Sequence, residues 1–135
     1  IDDYAHHPEE LRACISSARE LYPGKKITGI FQPHLFTRTR DFRDGFAASL
    51  SLIDELILLD IYPARELPIE GITSDIILEK VTISNKTLCR KEMVLPELQS
   101  RKIEVLLTLG AGDIDQLVAP IRDYYLTSDR TRKQQ

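Results

Sequence analysis

Apolar residues along this chain fall into two alternating kinds of pattern. Leu11, Cys14, Ile15, Ala18, Leu21 and Tyr22 recur at three- and four-residue steps, which predicts a helix opened by Pro8 and closed by Pro23-Gly24. Lys26 to Phe31 is β-rich and reads as a buried strand. Phe42, Phe46, Ala47 and Leu50 form the apolar stripe of a second helix, with Thr37 or Thr39 as its N-cap. Leu56-Ile57-Leu58-Leu59 is a continuous apolar run between Asp54 and Asp60, as expected of a strand covered on both faces. Ile61 to Gly71, with Pro63 and Pro68, reads as an ordered loop, after which Thr73 or Ser74 caps a short helix burying Ile76, Ile77 and Val81. Lys86 to Arg90 is a short fourth strand and Leu95 to Ser100 a short helix. Ile103 to Leu109 is the next strand, and Gly110-Ala111-Gly112-Asp113 turns into a last helix bearing Ile114, Leu117, Val118 and Ile121, kinked or ended by Pro120. The opening Ile1-Asp2-Asp3 reads as the end of a first strand, so the chain is expected to be a fragment of a longer protein.

Strands that alternate with helices, without hairpin signals, predict an α/β fold. The expected form is a Rossmann-like doubly wound, mostly parallel sheet with helices on both faces, a three-layer α/β/α arrangement. The 135 residues fit one domain, expected over residues 1–127, followed by a frayed polar tail over 128–135. A hydrophobic share of 42% and a charged share of 29% are ordinary for a soluble protein. The net charge of −3 gives no basic blanket for nucleic acid, and no apolar run reaches the roughly 20 residues that span a bilayer. Cys14 and Cys89 have no zinc-type spacing and read as core thiols of a reducing cytoplasm.

In a parallel sheet, ligands sit outside the carboxyl ends of the strands, so the loops after the first two strands carry the candidate chemistry. All three histidines lie there: His6 and His7 in the first loop, His34 in the second. If those strands are neighbours, the loops bring the histidines together with Asp2, Asp3, Tyr4, Arg38 and Arg40. Three neutral histidines could instead bind a metal, although adjacent His6 and His7 would usually point apart. Arg38 and Arg40 near the positive end of a helix are unfavourable unless an anion lies between them; the plainer alternative pairs them with Asp41 and Asp44 on a solvated face. Gly110 and Gly112 resemble half a phosphate-binding turn, but a tight strand-helix turn explains them as well. Gly24-Lys25-Lys26 lacks the upstream glycine of a phosphate loop, and no serine occupies a nucleophile elbow. Asp2, Asp3 and Asp60 leave open a phosphoacceptor receiver domain, although the threonine or serine and the lysine-proline such a domain needs are missing.

Four ordered motifs carry a resemblance over essentially the whole chain. They are Asp2-Asp3-Tyr4-Ala5-His6-His7-Pro8; Phe31-Gln32-Pro33-His34 with Thr37-Arg38-Thr39-Arg40-Asp41; Leu58 to Glu66 through Pro68-Ile69-Glu70-Gly71; and Gly110-Ala111-Gly112-Asp113. In these the chain resembles the C-terminal domain of the Mur ligases, most closely the alanine-adding branch, with the muropeptide-recycling branch as the alternative. The resemblance implies an ATP-dependent ligase of peptidoglycan synthesis in the cytoplasm, joining L-alanine to UDP-N-acetylmuramate through an acyl phosphate. N-terminal and central domains, absent here, would supply the sugar-nucleotide site, the phosphate loop and most Mg2+ ligands, leaving this fragment inactive alone. It further implies that Tyr4, His6, His34 and Arg38 surround the amino acid, with Arg38 on its carboxylate, and that Asp3 and His7 lie on the ATP side. Leu35 stands where some members have a second arginine.

Overall fold

The computed structural model describes residues 2–3 and 5–134, with the side chains of Asp2 and of 128–134 undescribed. Five strands form one sheet: β1 (Asp2–Asp3), β2 (Ile27–Gln32), β3 (Glu55–Leu59), β4 (Lys86–Cys89) and β5 (Val105–Gly110). All four strand pairings are parallel, in the order β1-β5-β2-β3-β4. Every residue of β2 and β3 is buried, because helices cover both faces. On one face α1 (Pro8–Leu21), α2 (Phe36–Leu50) and α3 (Asp75–Leu78) pack Leu11, Ile15, Phe46, Leu50 and Ile77 against Phe31, Leu56, Leu58 and Leu107. On the other, α4 (Val94–Gln99) and α5 (Val118–Gln134) pack Val94, Leu98 and Ile121 against Ile30, Ile57 and Leu59. The expected three-layer α/β/α arrangement is therefore present.

The first two strands are not neighbours, contrary to the expectation from sequence. β5 lies between them, pairing Asp3 with Leu109 on one side and Leu109 with Phe31 on the other. Asp3 and Phe31 thus lie in one row but two strand spacings apart, about 10 Å. Local patterning sets where strands occur, whereas their order depends on the return of the last strand to the middle of the sheet.

Smaller differences have equally local causes. Leu21 is 67% exposed and Tyr22 is also exposed, because the helix ends at that turn and leaves the apolar face behind. Phe42 is 42% exposed and sits at a non-helical point inside α2 (φ −117°, ψ 17°), which rotates it out of the stripe. Ser74 spends its hydroxyl on the Leu59 carbonyl (2.5 Å) rather than on a cap. Pro120 neither kinks nor ends the last helix. A 3-10 turn over Asp113–Leu117 precedes α5, so the proline falls in its first turn, where a missing N–H matters little. The helix continues to Gln134, past the point where the sequence suggests a tail.

At the amino edge of the sheet, the Glu55 carboxylate accepts from Thr28 (2.9 Å) and Asn85 (3.1 Å) and lies 3.5 Å from Arg101, which also binds Glu97 at 2.7 Å. These polar groups satisfy one another.

At the opposite edge β5 ends at Gly110, with φ +143°; a Cβ there would lie 2.8 Å from the Gln32 carbonyl oxygen. Gly110→Ala is expected to destabilise the fold by about 2 kcal/mol, read as a lower urea midpoint at unchanged denaturant slope; a loss under about 0.5 kcal/mol would contradict this origin of the glycine.

Candidate functional site

The crossover from β2 to α2 is tied to the loop after β3. Pro33 ends the strand, and His34 forms an isolated parallel bridge with Tyr62. The Tyr62 N–H donates to the Pro33 carbonyl (2.8 Å) and the Leu35 N–H to the Tyr62 carbonyl (2.9 Å). Leu35 takes φ +72°, a conformation that costs a leucine about 1–3 kcal/mol, and the helix begins at the next residue. His34 lies before the helix and Arg38 in its first turn, and an Arg38 guanidinium N–H lies 3.3 Å from His34 Nδ1. Arginine only donates, so this contact requires an unprotonated Nδ1 and the neutral Nε2–H tautomer. Burial, reinforced by the Arg38 charge, lowers the His34 pKa and favours the same form.

Neither Thr37 nor Thr39 caps α2. Glu66 does so from 29 residues downstream: its carboxylate accepts from the Thr37 N–H (3.1 Å) and hydroxyl (2.5 Å). Thr39 instead donates to the Leu35 carbonyl (2.8 Å). The anion that the arginine-bearing helix end demands therefore comes from within the chain, while Arg40 pairs with Asp41 at 2.9 Å.

The other sequence-predicted residues divide into two groups. His6 approaches the site: its ring meets His34 edge-on with centroids 6.5 Å apart, and its Nδ1 is 3.5 Å from Glu10. His7 turns away, capping α1 by accepting from the Glu9 N–H (3.3 Å) and packing its ring 4.9 Å from that of Phe42. Asp3 is exposed and lines a groove along α1 with Glu10, Cys14 and Leu21, which neither His34 nor Arg38 lines. Burial and the adjacent Asp3 carboxylate push the Cys14 thiol up to about 11. A chain of contacts, Glu10 to His6 to His34 to Arg38, runs from that groove to the crossover. Tyr4 lies outside the described residues. Among the described residues no group of three or more His, Cys, Asp or Glu could hold a metal ion. Asp3 and Asp60 line separate hollows, so the receiver-type carboxylate cluster does not assemble.

A family model described as Mur ligase, glutamate ligase domain matches residues 1–114. The chain belongs to the Mur ligase family. It is 66% identical over 123 residues to the UDP-N-acetylmuramate--L-alanine ligase of Parabacteroides distasonis, a match covering 91% of this chain and 27% of that protein. The chain thus spans about a quarter of the length of that relative. The crystal structure of the UDP-N-acetylmuramate-alanine ligase of Thermotoga maritima superposes with a TM-score of 0.68 at 30% identity, over 95% of this chain and 26% of the other. A murein peptide ligase from Psychrobacter arcticus shares the fold alone, with a TM-score of 0.69 at 12% identity over 90% of this chain and 26% of its own.

Gln32, Tyr62, Glu66 and Asp113 lie in the quoted motifs without a site role expected of them, and Lys91 lies in none. Tyr62 stacks on His34 with centroids 5.7 Å apart and planes 15° from parallel. Behind it lies a cavity of about 400 Å3 at the carboxyl ends of the central strands, lined by Gln32, Asp60, Tyr62, Lys91 and Asp113 among others. Gln32 donates to Asp113 (2.6 Å) and accepts from the Ile114 N–H (2.9 Å), while Lys91 binds the other Asp113 oxygen at 2.7 Å. Burial alone would raise the Asp113 pKa, but the bonds from Lys91 and Gln32 outweigh it and hold the carboxyl low. A second cavity, about 450 Å3 between β5 and α5, carries no such cluster and lies away from the crossover. The usable sequence signal was the position of Tyr62 and Glu66 after a central strand; their partners are set by the fold.

Hydrogen bonds from the Thr37 hydroxyl and the helix-end N–H groups hold Glu66 below its usual value of 4.5. The unfolded chain therefore takes up this proton first as pH falls. The cap's stabilisation is present above about 4.5 and is lost as pH drops through the lower folded value. Glu66→Gln is expected to lower the urea midpoint at pH 7 and to flatten its decline below pH 4.5; parallel midpoint-against-pH curves for the two proteins would refute this.

Proposed function

We propose that this chain is the C-terminal domain of an ATP-dependent ligase that joins L-alanine to UDP-N-acetylmuramate, contributing the seat for the amino acid. The observation that carries this reading is the His34–Arg38 pair at the capped start of α2, on the edge of the sheet where parallel folds bind ligands, in a chain 66% identical to a protein of that name. Arg38 offers a planar fork to the alanine carboxylate, a charge-assisted contact that a lysine would make less specifically. Neutral His34 adds polar recognition without a second charge, and His6 adds to the surroundings of the small side chain. The UDP-N-acetylmuramate carboxyl, activated as an acyl phosphate, is attacked by the neutral amine. A C–N bond forms as the C–O bond to phosphate breaks, inorganic phosphate departs, and the proton lost by the nitrogen passes to that phosphate or to water. Holding the amino acid by its carboxylate fixes the amine relative to that carbonyl carbon, the entropic part of the acceleration.

ATP is the phosphoryl donor in this scheme. Asp3, an exposed carboxylate at the end of β1, fits an acceptor for ribose hydroxyls. His7 stands next to the loop, its Nδ1 engaged by the Glu9 N–H, so its contribution on the ATP side is through the ring face or edge. The described residues form no carboxylate cluster for Mg2+, whose ligands are expected mainly in the central domain. The triphosphate cradle and the sugar-nucleotide site belong to N-terminal and central domains, over which this domain closes to exclude water. Among the described residues no helix is long and apolar enough to cross a membrane. Dependence on ATP and a nucleotide-linked precursor suits a cytoplasmic enzyme, with L-alanine, ATP and UDP-N-acetylmuramate as partners and no nucleic acid or membrane.

In the longer ligase, Arg38→Ala is expected to cut kcat/KM for L-alanine by about 2–5 kcal/mol, a factor of about 30 or more, with the loss concentrated in KM for L-alanine rather than for ATP. Unchanged kcat/KM for L-alanine would remove the assignment. The chain by itself is expected to release no ADP with L-alanine and UDP-N-acetylmuramate.

A further inference from the structure

We infer that Tyr62 is a positioning residue for the His34–Arg38 pair, holding the imidazole in place from behind so that the two side chains present one preformed seat. The inference rests on the reading of that pair as the amino-acid seat, and deepens it.

Three sides of the His34 ring are constrained. Arg38 contacts Nδ1 at 3.3 Å, the His6 ring meets it edge-on at 6.5 Å, and Tyr62 covers a face at 5.7 Å with planes only 15° apart. Of these, Tyr62 has the firmest anchorage. Its own N–H and C=O are bonded to Pro33 and Leu35, the residues on either side of His34, so ring and imidazole stay in register as the two segments bridge. The turn after β5 approaches its Cβ–Cγ bond. A Cβ on Gly112 would lie 2.7 Å from both Cβ and Cγ of Tyr62 and 2.5 Å from Gln32 Oε1. Gly112 has φ −96°, so no left-handed backbone calls for glycine there, and the close approach by itself does. Gln32 is in turn fixed by Asp113 and the Ile114 N–H. The turn after the last strand, the loop after the third and the crossover after the second thus touch in series, Gly112 to Tyr62, Tyr62 to His34 and His34 to Arg38. Without Tyr62, His34 would have no flat surface behind it, and Arg38 would lose the acceptor that orients its guanidinium. A contact misplaced by about 1 Å can cost two orders of magnitude in rate, so a residue with no need to touch substrate can still govern its binding.

The test uses Tyr62→Phe, which keeps the ring, Tyr62→Leu, which keeps apolar bulk without a flat face, and Gly112→Ala, which pushes the ring from behind. Two readouts are taken: the NMR titration and ring-current shift of the His34 imidazole in this chain, and steady-state kinetics with L-alanine in the longer ligase. Tyr62→Phe is expected to match the parent in both. Tyr62→Leu is expected to abolish the ring-current shift, move the His34 titration up toward its usual 6.5 as the ring becomes solvated, and raise KM for L-alanine about tenfold while KM for ATP stays within about twofold. Gly112→Ala is expected to change both readouts in the same direction, with an intact fold checked by far-UV circular dichroism. Unchanged alanine kinetics in both Tyr62→Leu and Gly112→Ala, in an enzyme where Arg38→Ala does impair alanine use, would overturn the positioning role and leave the amino-acid seat standing. Equal rises in the KM values for alanine and ATP would also overturn it, since they indicate general disruption. Failure of Arg38→Ala to affect alanine use would instead overturn the seat itself, and with it this inference.

Discussion

A helix that begins with two arginines needs a negative charge at its N-terminus, and the organisation of the carboxyl edge follows from how this chain meets that need. The first turn of α2 offers unpaired N–H groups and the positive end of the helix dipole, and Arg38 and Arg40 add to that potential. Glu66 supplies the anion, bonded to the Thr37 N–H and hydroxyl, and Arg40 is further neutralised by Asp41. Bringing Glu66 there obliges the loop after β3 to fold back across the crossover, which sets Tyr62 against His34 and admits the strained turn at Leu35. That strain, about 1–3 kcal/mol, is matched by the Tyr62–Leu35, Tyr62–Pro33 and Thr39–Leu35 hydrogen bonds at about 1 kcal/mol each. The capped helix start, the left-handed leucine and the stacked histidine are parts of one arrangement.

The sequence declared its elements more readily than their arrangement. Leu56 to Leu59 and Ile103 to Leu109 read as buried strands because a short apolar run without polar alternation can be kept from water only when both of its faces are covered. Pro8 and Pro23-Gly24 bracketed α1 because fixed φ, missing donors and permissive backbone act locally. What failed depended on distant residues. The threonines near the start of α2 have the right chemistry for a cap, yet a carboxylate 29 residues away outcompetes them. The position of β5 between β1 and β2 is written in no local pattern, so the adjacency of the first two strands was a false premise, although the convergence of His6 and His34 is real. His6 reaches His34 because their loops span the extra strand.

Polar clusters at the two edges differ in a way that separates structure from function. At the amino edge, Glu55 is enclosed by Thr28, Asn85, Lys26 and Arg101, and Arg101 is shared with Glu97 and Thr87. Buried charges so enclosed fix register and exclude solvent, but they have little capacity left for a ligand. The carboxyl edge carries a tethered imidazole held neutral by burial and by Arg38, beside a guanidinium whose hydrogen-bonding fork is only partly used. Positive charge is concentrated on a group that cannot lose its proton, while the neighbour that can is held in its uncharged form. For a zwitterion whose carboxylate must be gripped and whose amine must be free to attack, that division of labour is chemically suitable.

The glycine-rich turn after β5 shows how a motif can be legible and still mislead about its purpose. Gly110 and Gly112 suggest backbone kept bare so that a phosphate can come close, and in many nucleotide-binding folds that is the reason for such glycines. Here the space beside each is already filled by the protein. The Gln32 carbonyl oxygen would meet a Cβ on Gly110 at 2.8 Å, and the Gln32 side-chain oxygen and Tyr62 ring would meet one on Gly112 at 2.5 and 2.7 Å. Both glycines admit the chain's own atoms, and through Tyr62 the closeness of Gly112 is felt at His34. A turn that looks built to hold phosphate is instead packed against Tyr62, the residue that stacks on His34.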